Sequence, residues 1–305
     1  MRILVTGGTG FVGNNLARAL VESGERVGLL TRPGSRVNWR LVDLLSQVDI
    51  VEGDVTEPNL DKIISDYLPD FIFHLAAYGA YPRFQRDTQQ ITNVNVIGGA
   101  NIALVAKRNQ IPLVNCGSSS EYGVKNKPIN EDDECSPELE YGKAKLSQTQ
   151  FCQRLGFPTL RLFSVYGPWE DPTRLMPTLV RGKLKGERLS LVNSVREYAY
   201  IDDISHGFIR ALKNYDSIKG QVINIGQGLQ YSMEEVLEEL DSIDKTPLDV
   251  SWNFPPAQTE PQVWVADISK AKRLLNYQPT HSLRQGLEKT YDWWKSFYDA
   301  QQNES

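Results

Sequence analysis

The first thirteen residues constrain this chain more than any other segment. Ile3-Leu-Val-Thr-Gly7-Gly-Thr-Gly10-Phe-Val-Gly13 runs an apolar strand straight into three spaced glycines and then into an apolar helical pattern. A strand, a tight glycine turn and a helix N-terminus together seat the pyrophosphate of a dinucleotide, because unpaired backbone N–H groups and the positive end of the helix dipole face the anion. Gly7 permits the tight turn, Gly10 lets the backbone approach the phosphates, and Gly13 lets helix and strand pack closely. Phe11 and Val12 complete the cofactor-facing loop. Leu16, Ala17, Ala19, Leu20 and Val21 give the helix its buried side. The spacing is Gly-x-x-Gly-x-x-Gly, so its weight comes from the flanking strand and helix as much as from the glycines. Asn14 and Asn15 follow the last glycine where a nucleotide-hydrolysing P-loop needs Lys-Ser/Thr, which excludes that motif.

Short β-rich runs then alternate with helical patterns. Strands are predicted at 3–6, 27–31, 48–52, 71–75, 112–117 and 158–163, and helices at 11–23, 59–68, 88–109 and 141–155. The alternation predicts an α/β fold, a Rossmann-type doubly wound parallel sheet with helices on both faces. Pro168, Pro172 and Pro177 then break the pattern. Shorter elements follow, with helices near 173–185, 203–214, 232–243, 268–275 and 283–299. This predicts a dinucleotide-binding domain over 1–166, completed by parts of 197–226, and a smaller C-terminal α/β substrate lobe over 167–305. Ligands are expected at the C-terminal ends of the strands, between the two.

The net charge of −5 and the lack of a basic run argue against nucleic acid as a partner. No apolar stretch approaches the roughly 20 residues that span a bilayer, and the N-terminus enters a core strand rather than a signal peptide. Cys116, Cys135 and Cys152 are odd in number and lack Cys-x-x-Cys spacing. They point to a reducing, cytoplasmic compartment without disulfides or zinc. His74, His206 and His281 are far apart in sequence, so no metal site is expected.

The second strand ends at Thr31-Arg32-Pro33-Gly34-Ser35-Arg36. An NAD-selective site usually places an acid there, bonded to the ribose hydroxyls. Thr31 holds that position, and Arg32, Ser35 and Arg36 offer charge-assisted bonds to a 2′-phosphate. The expectation is therefore NADP(H), the alternative being a solvated basic turn. Asp54, with Val55, follows the third strand and is a candidate to meet the adenine edge, the alternative being an ordinary turn residue. Tyr141 and Lys145 stand one turn apart on a predicted helix. A lysine ammonium beside a phenol lowers its pKa from about 10, so Tyr141 can exchange a proton with a carbinol or ketone oxygen. Ser118 ends a predicted strand that opens toward the same cleft and can orient that oxygen.

With the glycine motif, Ser118, Tyr141 and Lys145 in order, the chain resembles the extended short-chain dehydrogenases/reductases, and more narrowly the nucleotide-sugar epimerase/dehydratase family. The likeness also rests on Gly53-Asp54, His74-Leu-Ala-Ala77, Asn95-Val-Ile-Gly98, Leu160-Arg-Leu, Val165-Tyr-Gly-Pro168, Arg196-Glu-Tyr-Ala-Tyr-Ile-Asp-Asp203, Asn224-Ile-Gly226 and Ala266-Asp-Ile-Ser-Lys-Ala271. The resemblance implies that Ser118, Tyr141 and Lys145 are catalytic and that Leu75, Ala76 and Ala77 border the cofactor. It implies that Arg196 meets the substrate pyrophosphate, and that helices 88–109 and 141–155 form a four-helix homodimer interface. The 4,6-dehydratases of this family place an acid pair after the catalytic Ser/Thr. Here Ser119 and Ser120 stand there, and Glu121 is one position late. Ser164 replaces a frequent Asn, and Pro255–Gln262 lacks a frequent pyrophosphate-binding Arg, for which Arg174 or Arg188 could substitute.

A looser resemblance, through Ser118–Gly123, Ser164–Pro168 and Pro172–Pro177, is to O-antigen enzymes such as CDP-abequose and CDP-paratose synthases. It implies NADPH-dependent reduction of the 4-keto group of a CDP- or dTDP-linked deoxyhexose, with Tyr141 as proton donor. Tyr78, Tyr81 and Arg83 follow the His74-Leu-Ala-Ala77 segment and are candidates to line the sugar pocket, the alternative being an ordinary surface loop. Ser118, Ser119, Ser120, Ser164, Arg174 and Arg196 are the other substrate-side candidates. The alternatives are an NAD-dependent nucleotide-sugar 4-epimerase and a non-catalytic NADP(H)-sensing protein.

Overall fold

The computed structural model describes residues 1–35, 39–80, 85–253 and 263–303. Along the chain come β1 (Arg2–Thr6), α1 (Phe11–Glu22), β2 (Arg26–Thr31), β3 (Asp49–Glu52), α2 (Leu60–Tyr67), β4 (Phe71–His74), α3 (Thr88–Ile91), α4 (Gly99–Arg108), β5 (Leu113–Ser118), α5 (Glu140–Arg154) and β6 (Thr159–Leu162). Next are β7 (Val165–Tyr166), α6 (Leu175–Lys185), β8 (Leu189–Val192), β9 (Val195–Glu197), β10 (Ala199–Tyr200), α7 (Ile201–Lys213) and β11 (Val222–Ile225). The chain ends with β12 (Gln230–Ser232), α8 (Met233–Ile243), β13 (Val250–Asn253), α9 (Ser269–Leu275) and α10 (Leu283–Asn303).

Seven strands form one parallel sheet in the order β11-β6-β5-β4-β1-β2-β3. Its central strands are continuous apolar runs because both faces are covered. Ile3 and Val5 pack with Leu16 and Leu20 of α1 and Phe208 of α7. Leu4 and Ile72 face the other way, with Ile64 of α2, Ile102 of α4 and Cys152 of α5. The winding reverses between β1 and β4, where connections that leave toward opposite faces of the sheet form a crevice beyond the strand ends. Thr6 lies opposite His74 at that point, and Ser118 lies opposite Leu162. Three two-stranded pairs, β7 with β10, β8 with β13 and β9 with β12, lie beyond the main sheet. Among the described residues no helix is long and apolar enough to cross a membrane.

The single helix predicted at 88–109 is three pieces, α3, a π-helical stretch Thr92–Gly98, and α4. Asn95 explains the widened turn. Its amide donates to Tyr78 O (2.7 Å) and accepts from Tyr78 N (3.0 Å), fixing the segment after β4. Such bulges place a side chain that a regular turn would aim elsewhere.

Candidate active site

The glycine loop has the geometry that its sequence demands. Gly7 adopts φ +73°, and a Cβ there would lie 2.6 Å from the Leu75 carbonyl carbon. Gly10 N donates to Gly7 O (2.9 Å), closing the turn, and a side chain at Gly13 would strike the Gly7 backbone. Gly10 caps α1 without any side-chain hydrogen bond, and the first turn of the helix carries no acid. The leading N–H groups of α1 are therefore left to an anion. These residues fit a dinucleotide pyrophosphate.

A cavity of about 400 Å³ opens above this loop. It is lined by Gly7, Gly10, Phe11, Val12 and Gly13, by Leu75 and Ala77, and by Ser118, Ser119, Ser120, Tyr141 and Lys145. Ser164, Arg174 and Arg196 also border it. Ser118 ends β5 and caps a single 3₁₀ turn, Ser119–Glu121. Its Oγ accepts from Ser120 N (3.2 Å), while its own N–H donates to Glu121 Oε1 (2.8 Å). Glu121 is fully buried and takes Arg161 Nε on its other oxygen (2.7 Å). Burial pushes this carboxyl up, while the Arg161 guanidinium and the Ser118 N–H pull it back. Glu121 is thus committed to holding the serine turn, and it does not line the cavity. The Ser-x-x-Glu capping box was the available sequence signal for this role.

Gly142 brings the helix to the turn. A Cβ there would strike Ser120 O, so only glycine lets α5 lie directly on the 3₁₀ turn. Tyr141 and Lys145, on the first turns of α5, then border the cavity together with Ser118. Lys145 is buried, which lowers its pKa from the ordinary lysine value. Its Nζ donates to Gln148 Oε1. A phenol, a confined ammonium and a hydroxyl that border one cavity can together move a proton to and from a carbinol oxygen.

Other expectations fare differently. Tyr78 does not line the cavity, its backbone being pinned by Asn95. Arg188 is exposed, 3.8 Å from Asp249 and away from the cavity, so it is no substitute anchor there. Asp54 Oδ1 accepts from Thr56 N and Thr56 Oγ1, each at 2.8 Å, which makes it a turn-forming carboxylate. Val55 and Ala76 are packed in the apolar layer beneath the sheet rather than against the cavity. Arg36, Tyr81, Arg83 and Pro255–Gln262 lie outside the described residues. Sequence reasoning missed Glu170 and Trp264, which both border the cavity. The acid pair Glu170-Asp171 between Pro168 and Pro172 was the available signal for Glu170.

A sequence model of the NAD dependent epimerase/dehydratase family matches residues 3–226. The UDP-glucuronic acid 4-epimerase of Bacillus cereus, solved in complex with NAD, is 31% identical over 98% of this chain and 100% of its own, with a TM-score of 0.85. That enzyme has also been solved with both UDP-glucuronic acid and NAD. The UDP-glucose 4-epimerase of Thermotoga maritima, solved with UDP-glucose, is 25% identical over 98% of this chain and 100% of its own, with a TM-score of 0.88. The UDP-glucose 4-epimerase of Lactobacillus helveticus is 27% identical over 97% of this chain and 98% of its own. These findings overturn the expectation of NADP(H), since the Bacillus cereus structures hold NAD. The turn after β2 has the form of the alternative, a solvated basic turn. Ser35 N donates to Arg32 O (2.9 Å) to close it, and Arg32 is exposed. Thr31, instead of presenting a polar edge, is buried.

Proposed function

The chain belongs to the NAD-dependent epimerase/dehydratase family, and from that premise we propose that it is an NAD-dependent 4-epimerase of a UDP-linked hexose or hexuronic acid. The observation that carries this reading is a single cavity. It joins a glycine loop suited to a pyrophosphate with Ser118, Tyr141 and Lys145, in a chain 31% identical to a UDP-glucuronic acid 4-epimerase. What NAD supplies when bound is a reversible hydride acceptor for C4. Tyr141 takes the proton of the 4-hydroxyl and returns it after the hexose ring has turned its other face. Ser118 holds the C4 oxygen, and Lys145 favours the phenolate and meets the nicotinamide ribose. Arg174 and Arg196 face the diphosphate from the far wall. Residues from 167 onward form the lobe that holds the nucleotide sugar, and helices α4 and α5 pair two copies.

Elimination chemistry lacks its acids here. Ser119 and Ser120 occupy the acid-pair positions, and Glu121 is locked between Ser118 and Arg161. The 4-ketoreductase reading loses ground with the NADPH on which it was built. The test is to incubate the protein with NAD and UDP-glucuronic acid, or separately UDP-glucose. The expected result is the C4 epimer without net change in reduced-nicotinamide absorbance, and at least a hundredfold loss in Tyr141→Phe. Oxidation of NADH in proportion to a CDP- or dTDP-4-keto sugar, with no UDP-sugar epimerised, would replace this reading with the reductase.

A further inference from the structure

Lys145 lies in an almost uncharged surround. Cys116 on β5 and Cys152 on α5 are thiols pushed up by burial, to about 11 and about 12, and are neutral at ordinary pH. His74 on β4 is driven down to about 3 by burial and by Lys145 itself, so its imidazole is neutral too. Glu121 is the nearby carboxylate, and it is paired with Arg161. The direct partner of the ammonium is an amide, Gln148 Oε1.

The hydrogen bonds beyond that amide run in one direction. An ammonium only donates, so it must face the amide oxygen. The Gln148 NH₂ group is thereby turned to His74 Nε2, 2.6 Å away, which must accept. His74 therefore carries its proton on Nδ1 and donates it to Thr6 Oγ1 at 2.7 Å. Thr6 Oγ1 also accepts from Ala76 N (3.1 Å), immediately before the glycine loop. The chain fits because Gly99 leaves room. A Cβ there would lie 2.7 Å from Gln148 Nε2.

We propose that Gln148 is a positioning residue for Lys145, holding the ammonium through its amide oxygen and tying it through His74 to Thr6 at the head of the glycine loop. It takes one of the three N–H bonds of Lys145 and leaves two for the ribose, and it does so without neutralising the charge that Tyr141 needs. The inference rests on the proposed Tyr141–Lys145 proton relay, but its test needs no substrate.

The phenolate of Tyr141 is titrated in NAD-loaded protein as the absorbance difference from Tyr141→Phe. In Gln148→Glu, nearly isosteric, a carboxylate cancels the field of Lys145, and phenolate formation should need about a tenfold lower proton concentration. In Gln148→Leu the ammonium loses its acceptor and deprotonates sooner, which moves the midpoint the same way. In a Lys145→Met background Gln148→Leu should not move it further, and Gln148→Glu should move it clearly less, by the direct repulsion of its carboxylate alone. An unmoved midpoint in folded Gln148→Glu would overturn the proposal, as would an equal shift without Lys145. If Gln148→Leu does not fold, Gln148→Glu decides alone. A shifted midpoint in a protein that epimerises no UDP-sugar would sink the functional reading and leave this one standing.

Discussion

Glu170 sits in the cavity wall with 4% of its surface exposed, its Oε1 3.5 Å from Arg174 Nε and its Oε2 without a hydrogen-bond partner. Burial pushes the carboxyl up to about 8, against the pull of Arg174. An unfolded Glu titrates near 4.3 or so, so between roughly that value and about 8 the folded protein holds a proton that the unfolded chain has lost. Stability from this group is therefore full at low pH and declines as pH rises through that window. Wild-type protein should lose melting temperature across it relative to Glu170→Gln, and level off above. The KM for a UDP-sugar should also rise once a carboxylate stands beside the diphosphate. Parallel melting profiles in the two proteins would show that Glu170 does not titrate there. At this scale the sequence exposed what is local. Ser118, Tyr141 and Lys145 stand out by order and spacing, whereas Glu121 reads in sequence only as an acid one position late, and its capping box is seen in the structure. Gln148 does not stand out, because its imidazole partner is 74 residues away and one glutamine on a helix looks like any other.

The segment after β7 shows how an element positions side chains that it does not itself contain. Trp169 adopts φ +68°, a left-handed conformation that costs a non-glycine residue about 1–2 kcal/mol. Its surroundings hold it there. The ring centroid lies 5.6 Å from Trp39 and 4.7 Å from Trp293, and the Arg18 guanidinium sits 4.2 Å above it. Arg40 Nε donates to Trp169 O (2.6 Å), and Asn15 Nδ2 donates to Pro168 O (3.1 Å). This clamp fixes the short path to Glu170 and Arg174. Trp169→Ala should raise the KM for the nucleotide sugar severalfold and leave kcat nearly unchanged. A fall in kcat at constant KM would mean that the segment serves the reacting centre instead. The six strands marked by alternation appear in the sheet within a residue or so of their predicted ends. The seventh, β11, has four residues and follows a proline-broken region, where local pattern carries little signal. Likewise, periodicity reads straight through the π-helical stretch, because the bond from Asn95 to Tyr78 that widens it is tertiary.

On the scale of the molecule, the reversal of winding between β1 and β4 gathers groups as distant as Gly7, Ser118, Arg196 and Trp264 at one cavity. Spacing along the chain cannot show that convergence. The α/β alternation anticipates the crevice for Gly7 and Ser118, and the resemblance to a family anticipates Arg196, while nothing in the sequence reading anticipates Trp264. The same architecture leaves one helical face to be explained. The π-helical stretch, α4 and α5 cover one side of the sheet, and Ile97 and Leu104 stand outward at 53% and 42% exposure. They are seven residues apart, close to two helical turns, and so share a stripe. The resemblance implies a four-helix interface there, and two large apolar side chains on that stripe are what such an interface would bury. Sedimentation should therefore give twice the chain mass, and Leu104→Glu should reduce it to the mass of one chain. NAD binding should survive that change, because Leu104 does not line the cavity. A dimer that withstands both Ile97→Glu and Leu104→Glu would place the interface on another face, and these two side chains would then be ordinary exposed residues of a helix whose energetics lie on its inner side.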